Sequence, residues 1–458
     1  MTEGNKSILS DKGKIVHFIG IGGVSMSALA EAVRARGVTA RGSDMKNGVY
    51  AERLSALGID VTIGHRAENV DGADAVIRTS AIKDTNPEVI RARELGIPVF
   101  ERAEAWGVLM EEFPKVVCVS GTHGKTTTTA MMTCIALAAG KDPEVMIGAD
   151  MREIGGVLRI AHGELFIAEA CEYCNSFLNF KPTVGIILNV EADHLDFFSG
   201  IDDIVKSFGK FAGNVKDGGV IVVNRDDANA MRAVSGTDKK IITFGLTDGC
   251  DVTARNISYN HGFPTFELVY HGEKAADIRL SVIGEHNIKN ALAAAAAALF
   301  MGISQNDIAA ALAGFTGVGR RMEYKGEFRG AKVYDDYAHH PSEVSATLSA
   351  VKKAQEGRVI CVFQPHTYSR TKALCADFAE ALKKADKVII ADIYAAREKN
   401  DIGIDSSAIS DLVPGSKWIS GFDNILTELK NTVRDGDFVL TMGAGDIYKV
   451  GEALVDKK

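Results

Sequence analysis

At 458 residues the chain is long enough for about three domains of ordinary size, and its 46% hydrophobic and 24% charged residues exclude a disordered or fibrous protein. With 52 basic against 60 acidic residues, the net charge is −8, and no basic block appears anywhere, which excludes a non-specific nucleic-acid binder. The start MTEGNKSILSDKGK lacks a signal peptide's apolar core, and the longest apolar run, Ala291–Ile303, falls short of the ~20 residues of a bilayer span. The 7 cysteines have no framework spacing, so the expectation is a soluble, cytoplasmic protein with reduced thiols and no membrane insertion.

Taken in chain order, Lys14–Gly20 predicts a buried strand and Ser25–Arg36 a helix, followed by strands at Val38–Ala40, Ala75–Ile77 and Val99–Phe100. The alternation restarts at Lys115–Ser120 and again after Gly357, in RVICVFQ, KVIIADI and DFVLTMG. Between Asp251 and Leu280 the pattern becomes an antiparallel patch with Asn-His-Gly and His-Gly turns. Ala291–Ala298 predicts a packed helix, because alanine is the best helix former. Three restarts imply three α/β units, with boundaries near Glu112–Lys115 and Gly317–Arg320. The expected domains are 1–113, 114–318 and 319–458.

Val117–Thr129 (VCVSGTHGKTTTT) carries the strongest motif. A strand runs into Gly121-Thr122-His123-Gly124-Lys125-Thr126-Thr127 and then a helix, the arrangement that turns backbone N–H groups onto phosphate oxygens. Lys125 would reach the β/γ-phosphates and Thr126 a Mg²⁺. Val119 stands where the general pattern has glycine, and Gly121 supplies the early turn. ATP or GTP binding follows. A second loop, Gly20-Ile-Gly22-Gly23-Val-Ser25, also joins a strand to a helix, with Asp44 after the next strand. It fits a diphosphate ligand, either NAD or another nucleotide diphosphate.

Glu169 and Glu172 follow one apolar run and Asn189-Val-Glu-Ala-Asp-His194 another, so they gather at the sheet edge that carries the phosphate loop. A carboxylate and an imidazole there suit Mg²⁺ or Mn²⁺. Cys171 and Cys174 lack the second pair a zinc site needs and read as ordinary small residues. Near the C-terminus, YDDYAHHP (334–341) and FQPHTYSRT (363–371) close two strands, and Arg370 suits a small carboxylate. Asn287 and Asn290 lie three apart on one helical face, fit either to read a nucleobase or to cap the helix.

These motifs together resemble the Mur ligase family, the ATP-dependent amino-acid-adding enzymes of peptidoglycan synthesis. The resemblance runs in order through IGIGGVSMSALA, RTSAIKDTNPE, SGTHGKTTTT, AEACEY, NVEADH, GEHNIKNALAAAAA, GRRMEYKG, VYDDYAHHPSEV, FQPHTYSRT and DIYAAREK, nearly the whole chain. The last four are similar to those of the branch that joins L-alanine to UDP-N-acetylmuramate. The resemblance implies an α/β chain of three domains: an N-terminal Rossmann-like domain, a central P-loop ATPase-type mixed sheet and a C-terminal Rossmann-like domain.

The implied reaction runs from carboxylate to acyl phosphate to amide, with ADP and phosphate released. By resemblance, Lys125, Glu169, His194 and Arg321 are catalytic. Thr126 ligates one Mg²⁺, and Glu169 with His194 a second. Gly121–Thr127, Asn287, Asn290, Asp336 and His339 hold ATP. Gly20, Gly22, Gly23, Ser25 and His65 hold the diphosphate, with Asp44 near the uridine and Ser80 near the sugar. Tyr337, His340, His366 and Arg370 surround the amino acid. Lys206 and Lys210 bracket the place where several relatives carry a carbamylated lysine, but neither falls on it, so no such modification is assigned. The Glu172-Tyr-Cys174 stretch departs from a more acidic version found in many alanine-adding relatives. The expected partners are UDP-N-acetylmuramate, L-alanine and ATP, with no nucleic acid, for a monomer or homodimer. Rival readings are a recycling ligase that attaches a whole tripeptide, a nicotinamide-dependent dehydrogenase and a non-catalytic nucleotide sensor.

Overall fold

Short β-branched runs closed by glycine build three sheets in this computed structural model, which describes residues 7–195, 197–396 and 398–456. The first six residues of the polar start and Arg397 of DIYAAREK lie outside the described residues. The first sheet comprises β1 (Ile15–Ile19), β2 (Thr39–Asp44), β3 (Asp60–Ile63), β4 (Ala75–Arg78) and β5 (Val99–Glu101). All pair in parallel, in the order β3-β2-β1-β4-β5. The order reverses at β1, which opens a crevice beyond its carboxyl end.

Two features of this sheet differ from expectation. β2 extends to Asp44 because Gly42 lets the chain lie against β1: a Cβ there would sit 2.4 Å from the Phe18 carbonyl and 2.9 Å from the Ile21 Cβ. Its polar spelling, TARGSD, conceals a buried strand. β3 is a part-exposed edge strand that no apolar run announces.

The second sheet has β6 (Lys115–Ser120) at its middle. Around it lie β7 (Glu144–Met151), β8 (Gly156–Arg159), β9 (Leu165–Glu169), β10 (Val184–Ile187), β11 (Val220–Asn224) and β12 (Lys240–Gly245). The order is β12-β11-β10-β6-β9-β7-β8, parallel except for the β7–β8 pair. These two sheets belong to one compact unit, formed by residues up to Thr253 with Leu292–Ile308. One core joins them: Trp106 and Phe113 each meet Phe166 edge to face, at 6.1 and 5.1 Å. Arg36 bonds both Glu112 and the buried Glu144 at 2.7 and 3.2 Å.

Ala254–Ala291 and the residues from Ala309 on form the second unit. β13 (Val252–Asn260), β14 (Phe263–Tyr270) and β15 (Glu273–Arg279) are neighbours in sequence order, and β14 and β15 pair antiparallel, as the alternating pattern predicted. His261-Gly262 and His271-Gly272 have φ of 48° and 80°, and 48° and 86°, the left-handed pair of a tight hairpin turn. The third sheet contains β16 (Glu323–Phe328), β17 (Ala331–Asp336), β18 (Val359–Phe363), β19 (Lys387–Ile390), β20 (Lys417–Trp418) and β21 (Phe438–Met442). Its order is β16-β17-β21-β18-β19-β20, parallel save for β16. Apolar clusters cover it on both faces. In the helix Glu285–Phe300, Ala293–Ala298 are wholly buried, so the alanine tract is packed. Among the described residues no helix is long and apolar enough to cross a membrane, and all 7 cysteines are free thiols.

Candidate active site

β6 delivers the phosphate loop. The Ser120 hydroxyl donates to the Ile186 carbonyl at 2.6 Å and pins the strand end to β10. Gly121 (φ 140°) and Gly124 (φ 82°) then take backbone conformations that side chains disfavour. The helix Lys125–Ala138 opens on Gly124 without a side-chain cap, so its terminal N–H groups face the loop. Asn189 fixes the loop from beyond β10. It accepts from the Thr122 N–H through its carbonyl (3.1 Å) and from the His123 N–H through Oδ1 (2.7 Å), and its Nδ2 donates to the His123 carbonyl (3.0 Å). The Glu191 N–H donates to Thr122 Oγ1 at 2.9 Å, and His123 Nε2 lies 3.3 Å from Glu191 Oε2.

Lys125 folds back over this loop. Its Nζ donates to the carbonyls of Gly121 (2.5 Å) and Thr122 (3.1 Å) and to both oxygens of Glu172 (3.0 and 3.3 Å). Burial disfavours the ammonium, but Glu172 and, more weakly, Glu169 outweigh it and hold Lys125 above the ordinary lysine range. The lysine is therefore a fixed cation. β9 lies beside β6 with Val119 opposite Glu169, which places that carboxylate at the loop edge. Glu169 Oε2 accepts from Thr126 Oγ1 and from the Gly148 N–H, both at 2.9 Å. A Cβ on Gly148 would come within 2.8 Å of that oxygen, so only glycine allows the approach. His194 (φ 53°) points Nε2 toward Glu172 Oε1 at 3.8 Å, and its ring lies 4.6 Å from that of Tyr173. Thr127 follows in the first helical turn.

Thr126 and Glu169 thus present adjacent hard oxygen donors, and the Glu172–His194 pair lies nearby across Lys125. That donor set fits Mg²⁺ or Mn²⁺. Burial pushes the Cys171 thiol up to about 11, with Glu172 adding to it, so it is neutral at neutral pH.

The Gly20 loop is built in the same unit from β1 and β2. The N–H groups of Gly20 and Ile21 donate to the Ser43 carbonyl (2.8 and 3.0 Å), and the Gly22 N–H donates to Asp44 Oδ2 (2.9 Å). Gly23 precedes the helix Val24–Ala35, with Ser25 in its first turn and no side-chain cap. A Cβ on Gly20 would meet Thr79 at 2.9 Å, next to the exposed Ser80. His65 Nδ1 lies 2.8 Å from Glu88 Oε2.

In the second unit the carboxyl ends of β17, β18 and β19 converge. The guanidinium of Arg321 stacks on Tyr337 at 4.9 Å, and Asp336 accepts from the N–H groups of Met322 and Ala338, both at 2.9 Å. Burial raises the Asp336 carboxyl to about 6, although Arg321 opposes it. The rings of His339 and His366 are 6.0 Å apart, Tyr394 stacks on His366 at 5.7 Å, and Arg370 Nη1 lies 3.4 Å from His366 Nδ1. Of the paired histidines, His340 faces its own helix start: it caps Pro341–Ala354, with Nδ1 2.7 Å from Ser342 Oγ. Asn287 and Asn290 are buried and bonded to each other (3.1 Å), and Asn287 Nδ2 donates to the Ile283 carbonyl (2.8 Å).

Sequence reasoning left Asn189, Glu172, Glu88 and Tyr394 without roles. Asn189 and Glu172 were signalled by their places just beyond strand ends. Glu88 carried no signal, because its partners come from distant segments.

Comparison with known proteins agrees with this layout. Residues 119–298 match the Mur ligase middle domain, 15–114 the catalytic domain of the Mur ligase family, and 320–445 the Mur ligase glutamate ligase domain. The chain is 46% identical over 452 residues to a UDP-N-acetylmuramate–L-alanine ligase of Caldanaerobacter subterraneus, covering 98% of each. It is 44% identical over 456 residues to that of Clostridium novyi, covering 99% of each. The crystal structure of the UDP-N-acetylmuramate-alanine ligase of Thermotoga maritima superposes with a TM-score of 0.81 at 28% identity, over 96% of this chain and 98% of that one. A murein peptide ligase from Psychrobacter arcticus shares the fold, with a TM-score of 0.71 at 24% identity over 96% and 98%. With its three domain matches and its near full-length relatives, the chain belongs to the Mur ligase family.

Proposed function

We propose that this protein is a cytoplasmic, ATP-dependent ligase that joins L-alanine to UDP-N-acetylmuramate in peptidoglycan precursor synthesis. The observation that carries this reading is the charged set at the end of β6: a lysine held over the loop by Glu172, and Thr126 bonded to Glu169. It stands beside the 46% and 44% identity to enzymes named for that reaction. Residues 1–113 hold the UDP-sugar, 114–318 ATP, and 319–458 the amino acid.

A carboxylate is a poor acyl donor, so the sugar's carboxylate oxygen first attacks the γ-phosphorus and ADP leaves. The amine of L-alanine then attacks the acyl carbon of this acyl phosphate, inorganic phosphate leaves, and the nitrogen gives up a proton. Lys125 exchanges Glu172 and the loop carbonyls for phosphate oxygens and follows the charge as it transfers. The loop N–H groups, aimed by Asn189, bind the β-phosphate. Asn287 and Asn290 contact adenine, Asp336 and His339 the nucleotide, and Arg321 the γ-phosphate. Arg370, with His366 and Tyr337, takes the amino-acid carboxylate. Thr126 would hold one Mg²⁺, and Glu169 with His194 a second; bound there, such ions would supply positive charge against the phosphate oxygens. Gly20, Gly22, Gly23, Ser25 and His65 hold the diphosphate, with Asp44 and Ser80 toward uridine and sugar.

A dehydrogenase leaves Glu169, His194 and the YDDYAHHP cluster without work, and a nucleotide sensor would release no phosphate when substrates are added. The deciding assay is phosphate release from ATP and UDP-N-acetylmuramate with L-alanine, glycine, L-serine or the murein tripeptide added singly. L-Alanine should give the highest kcat/KM. A preference for the tripeptide would overturn this reading in favour of a recycling ligase.

A further inference from the structure

We propose that Glu88 makes binding of the UDP-sugar diphosphate a proton-uptake reaction, with His65 receiving the proton. This rests on the reading that His65 holds the diphosphate. Glu88 lies in the helix Pro87–Glu94 and is wholly buried. Its carboxylate gathers side chains from segments far apart in sequence. Asn69 Nδ2 donates to Oε1 (2.6 Å) and Ser43 Oγ to Oε2 (2.7 Å). His65 Nδ1 lies 2.8 Å from Oε2 and His17 Nε2 3.4 Å from Oε1. Burial disfavours the charged form, but nearby His17 and the hydrogen bonds from Asn69 and Ser43 outweigh it, so Glu88 titrates below the ordinary glutamate value. It is an anion at neutral pH.

The two nitrogens of an imidazole point out of opposite sides of the ring. With Nδ1 held by Glu88, Nε2 of His65 faces away from the carboxylate, and the side chain retains 11% exposure. Ser43 links this network to the glycine loop: its hydroxyl lies 3.0 Å from His65 Nδ1, and its carbonyl accepts from Gly20 and Ile21. A diphosphate oxygen arriving at Nε2 places one anion on each side of the ring. A neutral imidazole donates one hydrogen bond only; an imidazolium donates two, one to each anion.

The neighbours of His65 in sequence, on β2 or through Glu88 include Arg66, Asp44 and His17. His17 is 2% exposed and faces Glu88 from the far side. Asp44 accepts from the N–H groups of Gly22 and Lys46 (2.9 and 3.2 Å), and Arg66 lies 3.9 Å from Glu68. Glu88 is thus a positioning residue that acts through His65.

The test is calorimetric titration of the full-length protein with UDP-N-acetylmuramate, without ATP, at pH 8 in two buffers of different ionisation enthalpy. This ligand has no group of its own that titrates there. The expected result is uptake of about 0.5 to 1 proton per site, with affinity falling as pH rises, by up to about tenfold per unit. In Glu88→Gln the amide donates to Nδ1 and leaves a neutral ring with Nε2–H, so binding persists but uptake falls below about one third. His65→Ala should weaken binding about tenfold or more and abolish uptake. Absence of uptake in the unmodified protein, or unchanged uptake in Glu88→Gln, overturns the proposal, and the first measurement does not depend on any variant folding. If His65→Ala binds as tightly as the unmodified protein, the diphosphate reading of His65 itself fails.

Discussion

After β1 and after β6 the chain makes the same move: a buried strand, a glycine with φ of 82° or 140°, and a helix that opens without a side-chain cap. What surrounds the two loops differs. The first is closed by the Ser43 carbonyl and one Asp44 oxygen and carries no lysine between Gly20 and Ser25. The second wraps an ammonium against Glu172 and places Glu169 on Thr126. Backbone N–H groups and an imidazole suffice for a diphosphate whose charge does not change during the reaction. A phosphoryl group in transit needs a cation that can exchange partners and carboxylates that can hold metal ions. The shared strand–loop–helix plan gives phosphate affinity, and the side chains around it decide whether the phosphate reacts.

The largest expected effect separates the two loops completely. Lys125→Ala should lower phosphate release by about a thousandfold, because the charge that follows the phosphoryl is gone. Calorimetric binding of UDP-N-acetylmuramate should be unchanged. Chelation of divalent cations should divide the loops in the same way, stopping phosphate release while leaving sugar-nucleotide binding intact. Loss of both would show that the first loop also depends on a cation, and the contrast between them would fail.

The backbone offers a smaller test. Gly121→Ala puts a Cβ 2.9 Å from that of Leu188 and 3.2 Å from the Asn189 nitrogen, at a φ of 140°. Strain of that kind costs about 1–3 kcal/mol, and here it also displaces the loop from Asn189. Gly20→Ala, at φ 82°, meets the Thr79 methyl, the end of a side chain that can rotate. Denaturant unfolding should show the larger loss for Gly121→Ala. Equal losses would mean that both loops are held with the same rigidity.

The unequal legibility of the two loops has the same origin. β6, its loop and its helix are contiguous and apolar in the right places, so Lys115–Thr129 was readable from the sequence as a strand, a turn and a helix. Glu169 and His194 were readable because strand ends of a parallel sheet share one edge. β2 was cut short at Ala40 because a strand spelled TARGSD has no apolar run; pairing with β1 makes it, and Gly42 allows the close approach. Glu88 was invisible for a stronger reason: its partners at 17, 43, 65 and 69 meet only when four separate segments have packed. Glu172 was seen but given no role, since nothing in AEACEY says that its carboxylate turns back onto the lysine.

The smallest effect is the most discriminating, because one chemical change is applied to both loops. Asp44 accepts from Gly22 at 2.9 Å, and Glu169 accepts from Thr126 and Gly148 at the same distance. Conversion of each acid to its amide keeps one acceptor oxygen and removes the charge. In the first loop the oxygen matters and the charge does not, so Asp44→Asn should leave kcat unchanged. The KM for UDP-N-acetylmuramate should rise at most about fivefold, the equivalent of about one hydrogen bond. In the second loop the charge has the proposed role of holding metal, so Glu169→Gln should lower kcat a hundredfold or so even though its geometry is kept. Steady-state kinetics with each substrate varied in turn would read both. If Asp44→Asn lowered kcat as Glu169→Gln does, the first loop would be taking part in the chemistry rather than holding the ligand for it.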